Sequence, residues 1–194
     1  MWQATHKYGE TKNFLSALES SFWYENMENI IKNAFSIYYI VKKHKQNVLV
    51  TCQFGDAGSC VLSSLSQLLI DPYYRTIAGF QVLVHKEWNY FKHNFIQSSA
   101  LLHDYPGMAD PLYTPIFVFF LDCVNQLMNQ NPTLFEFTSE YLVFLGYHVY
   151  SNKYFEFASE MKRDPPVSKE QTPCLLTQMK DNLFISVFSH LKDQ

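Results

Sequence analysis

The stretch Asn47-Val-Leu-Val-Thr-Cys52 decides how the rest of the chain is interpreted. It is a compact run of β-branched residues and leucine between polar residues, which predicts a short buried strand. A glycine-bearing loop over residues 53–59 follows, and apolar residues then recur on one side of a predicted helix over residues 60–70. The predicted order is therefore strand, tight loop and helix, with a cysteine where the strand meets the loop.

Helical periodicity dominates the remaining sequence. Apolar residues three and four positions apart predict a helix over residues 22–44, with Ser20 or Ser21 as its N-cap. The same spacing predicts a helix over residues 76–88, in which Gly79 is a flaw.

Two more helices are predicted in the second half of the chain. The first covers residues 116–130 and follows Pro115, a residue suited to the first position of a helix. The second covers residues 139–150 and is capped by Ser139. The fold class is therefore α/β and helix-rich, with one central strand.

The predicted strand lacks neighbours, and a strand that is apolar throughout requires them on both sides. We therefore expect residues 1–160 to be a partial domain whose other strands lie upstream in a longer gene product. Residues 161–174, with two adjacent prolines and mixed charges, are predicted to be an exposed or disordered insertion. A C-terminal helix of the same domain is expected over residues 175–194.

Composition narrows the classes of function. The 47% of hydrophobic residues excludes intrinsic disorder, and a pI near 6.1 with a net charge of −3 argues against a nucleic-acid partner. No signal peptide is recognised, and the four cysteines form no CxxC pair, which favours reduced thiols inside the cell. The histidines are scattered, so neither a metal site nor a cofactor is predicted.

A loop that begins with cysteine between a strand and a helix is typical of the cysteine-dependent phosphatases. The helix N-terminus stabilises the thiolate, and the N–H groups of the loop bind phosphate oxygens. An arginine six positions after the cysteine clamps the phosphate, and an aspartic acid protonates the leaving alkoxide. This chemistry requires all three side chains.

Here the nucleophile is present but its two helpers are not. Gly58 stands where arginine is required, and Ala57 before it can donate no proton. The nearest arginine in sequence is Arg75, beyond the following helix, and no lysine lies between Lys45 and Lys86. The loop therefore lacks the cation that phosphoryl transfer needs.

The chain resembles the myotubularins, which remove the 3-phosphate from phosphoinositides. The resemblance covers roughly residues 14–157, and its specificity comes from the order of several motifs. They are Leu15-Ser-Ala-Leu-Glu-Ser20, Val48-Leu-Val-Thr-Cys52, Leu65-Ser-Gln-Leu-Leu-Ile-Asp-Pro-Tyr-Tyr-Arg-Thr-Ile-Ala-Gly-Phe80, Lys86-Glu-Trp88, Pro115-Ile-Phe117, Phe120-Leu-Asp-Cys-Val124 and Phe135-Glu-Phe137.

Active myotubularins carry the loop H-C-S-D-G-W-D-R-T, of which this chain keeps the cysteine and the glycine. The resemblance therefore implies a pseudophosphatase with no catalytic residue, in which Cys52 marks a vestigial nucleophile position. The degenerate phosphate loop consists of Cys52, Gln53, Phe54, Gly55, Asp56, Ala57, Gly58 and Ser59.

The resemblance also implies a role. Inactive myotubularins pair with active or inactive members of the family, as homo- or hetero-dimers, and act as scaffolds or regulators in endosomal phosphoinositide control. We therefore expect weak or no phosphoinositide binding by this chain and a cytoplasmic location, with endosomal membranes reached through other parts of the parent protein.

Two alternatives remain at this point. One is an active phosphoinositide 3-phosphatase that uses Cys52 with Asp56 or Ser59 in a remodelled loop. The other is that residues 53–59 form a plain turn that binds nothing.

Within the inactive group, three stretches look closest to the SET-binding factors: Thr114-Pro-Ile-Phe117, Phe144-Leu-Gly-Tyr-His148 and Thr172-Pro-Cys174. Those proteins resemble a DENN-type Rab exchange module joined to an inactive myotubularin domain and a PH domain. Exchange activity would then belong to the parent protein.

Overall fold

The structure, a computed structural model, describes residues 11–52, 57–91, 93–98, 114–151, 154 and 157. The predictions for residues 161–174 and 175–194 lie outside these residues. The described part is helix-rich, as predicted. Its helices are α1 (Thr11–Ser20), α2 (Trp23–Tyr39), α3 (Ala57–Ile70), α4 (Ile77–Val84), α5 (Phe95–Ser98), α6 (Ile116–Gln130) and α7 (Ser139–Val149).

Two of the helices continue past their α-helical part. A π-helical turn, Ile40–His44, extends α2, and another, His85–Tyr90, extends α4. The periodic patterns over residues 22–44 and 76–88 are therefore confirmed as continuous helical segments. Short 3₁₀ turns at Pro72–Arg75 and Pro132–Leu134 connect the longer helices.

The long helices pack around α3 and α6. Helix α2 lies along α3 and also contacts α6, while α6 packs on both α3 and α7. Because α3 is sandwiched among its neighbours, Val61, Leu65 and Leu68 are at most 1% exposed. This packing fixes the N-terminal turn of α3, which follows the cysteine-bearing loop.

Aromatic side chains form the centre of the core. Trp88 is fully buried, with its ring centroid 4.9 Å from that of Phe117 and 5.3 Å from that of Phe120. Its indole N–H donates to Ser64 Oγ at 3.1 Å, so the polar end of the side chain is satisfied. Phe80 stacks on Phe120 at 5.9 Å and contacts Phe137 at 4.9 Å.

The serines at the start of α2 do not cap it, so that prediction is wrong. The Ser20 and Ser21 hydroxyls donate to Ala17 O at 3.0 Å and to Leu18 O at 2.6 Å, which ends the preceding helix α1. The N-cap residue of α2 is Phe22, which adopts a left-handed conformation (φ 56°) and provides no side-chain cap. Both carbonyls also accept from the Ser21 N–H, at 3.1 and 3.3 Å, so the hydroxyls add second bonds at the end of α1 and do not cap α2.

The cap prediction for α7 is wrong as well, since Ser139 is its first helical residue and Thr138 precedes it. The Ser139 hydroxyl donates to Asn125 Oδ1 at 2.8 Å, which ties α7 to α6. By contrast, Thr76 is a true N-cap of α4, because its Oγ1 accepts from Gly79 N at 3.0 Å.

Gly79 is a packing requirement and not a flaw in the helix. A Cβ atom at this position would lie 1.9 Å from the carbonyl oxygen of Tyr73. Only glycine lets the first turn of α4 approach the 3₁₀ turn before it this closely.

The predicted buried strand is not formed. Residues 45–52 have no regular secondary structure, and residues 47–51 make no backbone hydrogen bond to any other described residue. Leu49 is 87% exposed. The segment has the composition of a strand, but burial requires a paired strand on at least one side, and the described residues provide none.

Candidate functional site

The segment that carries Cys52 leaves the helical core at a sharp turn. Lys45, which ends the π-helical turn, adopts a left-handed conformation (φ 54°), and its N–H donates to the carbonyl of Ile40, the first residue of that turn. The chain then continues without regular secondary structure to Cys52, which is half-buried. The described structure resumes at Ala57, the first residue of α3, because residues 53–56 lie outside it.

Helix α3 begins three residues earlier than the sequence predicted. The pattern placed its start at Cys60, whereas Ala57, Gly58 and Ser59 already form its first turn. Glycine and serine are weak formers of helix interiors, which hid the start, but both are tolerated at helix N-termini. Part of the predicted loop is therefore the helix terminus itself.

Cys52 contacts the first turn of α3 through Ser59. The Cys52 Sγ donates to Ser59 Oγ at 3.3 Å. This bond places the thiol beside the N-terminus of a 14-residue helix, where unpaired N–H groups favour anionic groups. The Cys52 thiol thus lies beside the first turn of α3.

A cavity of about 430 Å³ opens at this point. Val48, Val50 and Phe91 form its apolar side. Its polar side consists of hydroxyls, thiols and one carboxylate, from Thr51, Cys52, Ser59, Cys60, Ser63 and Glu87. No lysine or arginine is among the described residues that line it.

Glu87 is the acidic residue among the described residues that line the cavity. The residue lies in the π-helical extension of α4, and it is 8% exposed. Lys86 Nζ is 3.5 Å from Glu87 Oε1, but it also donates to Tyr74 Oη at 3.0 Å and to Gln67 Oε1. Lys86 is therefore held on the Tyr74 side and does not line the cavity.

The arginine nearest in sequence lies at the other end of α3. Arg75 Nη1 donates to Leu68 O at 3.2 Å, in the last turn of that helix. Leu68 follows Ser59 by nine residues, which is roughly 13 Å along a helix. Desolvation lowers the pKa of Arg75 from its usual value. Arg75 thus binds a carbonyl at the helix C-terminus and does not face Cys52.

The position that would carry the arginine is open. Gly58 is exposed, and a Cβ added there would meet nothing within 4 Å. The structure therefore has room for a longer side chain at this position. Steric crowding does not explain why glycine stands here instead of arginine.

Among the polar lining residues, the sequence-based prediction missed Cys60, Ser63 and Glu87. Ser63 lies one helical turn after Ser59, so the helical period could have indicated it, whereas Cys60, the residue after Ser59, does not follow from that period. Glu87 comes from a different helix, and only the tertiary packing of α4 and its extension against α3 brings it here.

The described residues include neither a cluster of metal ligands nor a membrane-spanning helix. These residues contain no group of three or more His, Cys, Asp or Glu side chains that could hold a metal ion. Among their helices, none combines the length and the apolarity that crossing a bilayer requires.

Comparison with known proteins places the chain in a family. The family model described as "Myotubularin-like phosphatase domain" matches residues 1–164. Myotubularin of Xenopus laevis is 40% identical over 168 residues, which is 86% of this chain and 28% of the relative.

Two other relatives match over a similar region. The Caenorhabditis elegans protein named phosphatidylinositol-3,5-bisphosphate 3-phosphatase mtm-1 is 36% identical over 76% of this chain and 25% of its own length. Myotubularin-related protein 12 of Danio rerio is 37% identical over 82% of this chain and 22% of its own length. The chain thus spans about a quarter of the length of these relatives, and by its sequence it belongs to the myotubularin family, of whose phosphatase-like domain it forms a part.

Proposed function

We propose that this chain is a pseudophosphatase region that scaffolds or regulates phosphoinositide phosphatases. The observation that carries the proposal is that the described residues that line the cavity at Cys52 include no lysine or arginine. A phosphate monoester is doubly negative near neutral pH, and no cation among these residues is placed to bind it.

The loop sequence supports the same conclusion. Residues 53–59 contain no lysine or arginine, and Ala57 and Gly58 replace the acid and the clamp of the active loop. Removing one preorganised transition-state donor costs about 10²–10³ in rate, and losing the proton donor costs roughly 10²–10⁴. If the two losses are independent, the rate falls by roughly 10⁴–10⁷.

The backbone features of the site are kept, although the arginine and the aspartic acid of the active loop are absent. The N-terminus of α3 still points toward Cys52, and the Ser59 hydroxyl still contacts the thiol. These groups bind anions weakly by themselves. We therefore expect weak or no binding of phosphoinositides by this chain.

The experiment is phosphate release from phosphatidylinositol 3-phosphate and from phosphatidylinositol 3,5-bisphosphate. The purified protein is compared with Cys52→Ser, and an active myotubularin serves as the positive control. We expect equal background release from the protein and from Cys52→Ser. Release that Cys52→Ser abolishes would overturn the proposal.

The regulatory role requires a protein partner, for which we propose another member of the myotubularin family. The aromatic side chains of α6 and α7 differ in exposure. Phe117, Phe120 and Tyr141 are buried, whereas Tyr147 is 69% exposed and lies one helical turn from Val143, which is 70% exposed. Aromatic residues on an exposed face are enriched where proteins bind each other.

Light scattering of the chain mixed with an active myotubularin tests this role. We expect a complex that Tyr147→Asp weakens, whereas Val82→Asp, at an apolar position 45% exposed on α4, leaves it intact. The absence of a complex, or equal effects of the two substitutions, would contradict the assignment of this face.

The second candidate is an active phosphoinositide 3-phosphatase with a remodelled loop. The contact of Cys52 with Ser59 and the carboxylate of Glu87 favour it, because a hydroxyl and an acid both face the cavity. Glu87 would then be the proton donor. Release that is lost in both Cys52→Ser and Glu87→Gln identifies this mechanism.

The finer assignment to the SET-binding factors, with a DENN module in the parent protein, stays a prediction. Of the three stretches that suggest it, residues 114–117 and 144–148 are described and belong to the start of α6 and to α7. The full-length sequence of the parent protein tests it directly.

A further inference from the structure

We propose that Cys52 and Cys60 are a redox pair, which hydrogen peroxide closes into a disulfide. This inference does not rest on the proposed function, because it concerns the thiols and not phosphoryl transfer. It starts from the observation that both cysteines line the same cavity, although they come from different structural elements.

The two thiols differ in exposure in the way that a redox pair requires. Cys52 is half-buried at the mouth of the cavity, so peroxide can reach it. Cys60 is 6% exposed in the first turns of α3, inside the cavity. The outer cysteine is thus placed to react with the oxidant and the inner one to resolve the product.

The contact with Ser59 brings the two cysteines toward each other. The Cys52 Sγ lies 3.3 Å from Ser59 Oγ, and Ser59 is the residue before Cys60. The helix N-terminus at this point favours the thiolate form of a nearby cysteine, and the thiolate is the form that attacks peroxide.

Closing the disulfide requires the segment that carries Cys52 to approach α3. The Cα atoms of a disulfide lie roughly 4.4–6.8 Å apart. Residues 47–51 make no backbone hydrogen bond within the described part of the chain, so a shift of this segment toward α3 breaks none of those bonds. The α3 side of the pair is fixed by the core.

The reaction balances in two steps. The Cys52 sulfur attacks one oxygen of hydrogen peroxide, so that an S–O bond forms, the O–O bond breaks and water leaves. The product is a sulfenic acid on Cys52. The Cys60 sulfur then attacks the Cys52 sulfur, the S–S bond forms, the S–O bond breaks and a second water leaves. Peroxide accepts the two electrons that the thiols lose.

Cys123 provides an internal comparison. It is fully buried in α6, and it does not line the cavity. Burial raises the pKa of its thiol to about 12, so it carries almost no thiolate near neutral pH. A general reactivity of the cysteines would oxidise Cys123 together with the others, whereas a specific pair would leave it reduced.

The chain offers a direct readout by peptide mass. Trypsin cleaves after Lys45 and after Arg75 and finds no site between them, so Cys52 and Cys60 fall in one peptide, residues 46–75. Cys123 falls in a different peptide, residues 93–153. A disulfide between Cys52 and Cys60 therefore makes the first peptide lighter by two hydrogen atoms and protects both cysteines from alkylation.

The experiment treats the purified protein with hydrogen peroxide and then alkylates, digests and weighs the peptides. We expect the lighter 46–75 peptide to form at least tenfold faster in the native protein than in the urea-unfolded chain, with Cys123 still alkylated. In Cys60→Ser we expect dimedone, a sulfenic acid probe, to label Cys52. Cys123→Ser should leave the pairing unchanged.

Three results would overturn the inference. They are a 46–75 peptide that keeps both thiols, a pairing no faster in the native protein than in urea, and Cys52 paired with a cysteine other than Cys60. These readouts are independent of phosphate release, so a failure here is distinguishable from a failure of the proposed function.

Discussion

The aromatic core around Trp88 and the cavity at Cys52 both include residues of α3, but they are built differently. The Trp88 indole is fully buried, and its N–H donates to Ser64 of α3. In the segment that carries Cys52, by contrast, Leu49 is 87% exposed, and residues 47–51 make no backbone hydrogen bond to the described residues.

We infer from this difference that the residues that stabilise the fold are not the residues at the phosphate-loop positions. The core consists of apolar side chains of several helices, and of the phosphate-loop residues whose side chains or burial the structure describes, Cys52, Gly58 and Ser59, none belongs to it. A loop that contributes little to folding can lose its arginine and its acid without unfolding the domain. Substitutions in the core should therefore lower the free energy of unfolding far more than substitutions at the phosphate-loop positions.

The largest loss of stability is expected from Trp88→Ala. Deleting a fully buried aromatic side chain removes its contacts with Phe117 and Phe120 and leaves the Ser64 hydroxyl without its donor. We expect the free energy of unfolding to fall by about 3–5 kcal/mol in urea titrations.

The control for this change is Tyr90→Ala, two residues further on and 79% exposed. It should alter the free energy of unfolding by less than about 0.5 kcal/mol. Similar losses in the two variants would show that the core is not organised around Trp88.

The second effect compares two glycines. In Gly79→Ala the new methyl group would overlap the Tyr73 carbonyl, so the first turn of α4 must move. We expect a loss of about 1–3 kcal/mol, as for other overpacked sites. In Gly58→Ala the methyl group has open space in the first turn of α3, and we expect an unchanged or slightly higher stability.

Thermal unfolding of both glycine variants measures this difference. A Gly58→Ala variant as unstable as Gly79→Ala would mean that the phosphate-loop positions do support the fold, which contradicts the separation of the two regions.

The third effect concerns the link between α2 and α6. Trp23 Nε1 donates to Asp122 Oδ2 at 2.8 Å, and its ring packs edge-on against Phe119 at 5.0 Å. Trp23→Phe keeps an aromatic ring and loses the bond to the carboxylate, which should cost about 1.5 kcal/mol. Unfolding in urea at neutral pH measures the loss, and an unchanged midpoint would show that this bond does not hold α2 in place.

The fourth effect is a dependence of stability on alkaline pH. Burial raises the pKa of Cys123 to about 12 in the folded state, above the value of roughly 8.5 in an unfolded chain. The folded state therefore keeps its proton while the unfolded state loses it. The free energy of unfolding is expected to fall as the pH rises through this window, by up to roughly 1.4 kcal/mol per pH unit for this group.

Cys123→Ala should make this decline shallower, whatever its effect at neutral pH. Cys52→Ala is the matched control, because its thiol is half-buried outside the core. Equal slopes for the protein and Cys123→Ala between pH 8 and 10 would show that Cys123 does not titrate as its burial requires.

The sequence predicted the helices well because their signal is local. The helix at Ile116–Gln130 lies between Pro115, which suits a helix start, and Pro132, which breaks a helix, and both are visible directly in the sequence. The caps at Ser20 and Ser139 were misassigned, because a hydroxyl can bond to either neighbouring element and the sequence does not say which.

The strand prediction failed because pairing is not local. An apolar run such as residues 48–50 has the composition of a buried strand, but only another segment of chain can bury it. Glu87 was missed in the site for the same reason, since it comes from a separate helix. The missing cation at Gly58 was visible in the sequence, because its position is fixed by counting from Cys52.

The most direct test of the central claim is an exchange of loops between this chain and an active myotubularin. The active enzyme is given residues 51–59 of this chain, and its release of phosphate from phosphatidylinositol 3-phosphate is measured. A second variant carries only the change of its loop arginine to glycine. The account predicts a loss of at least roughly 10⁴ in kcat/KM for the full exchange and of about 10²–10³ for the single change, in folded proteins. An exchanged enzyme that keeps its cysteine-dependent turnover would contradict it.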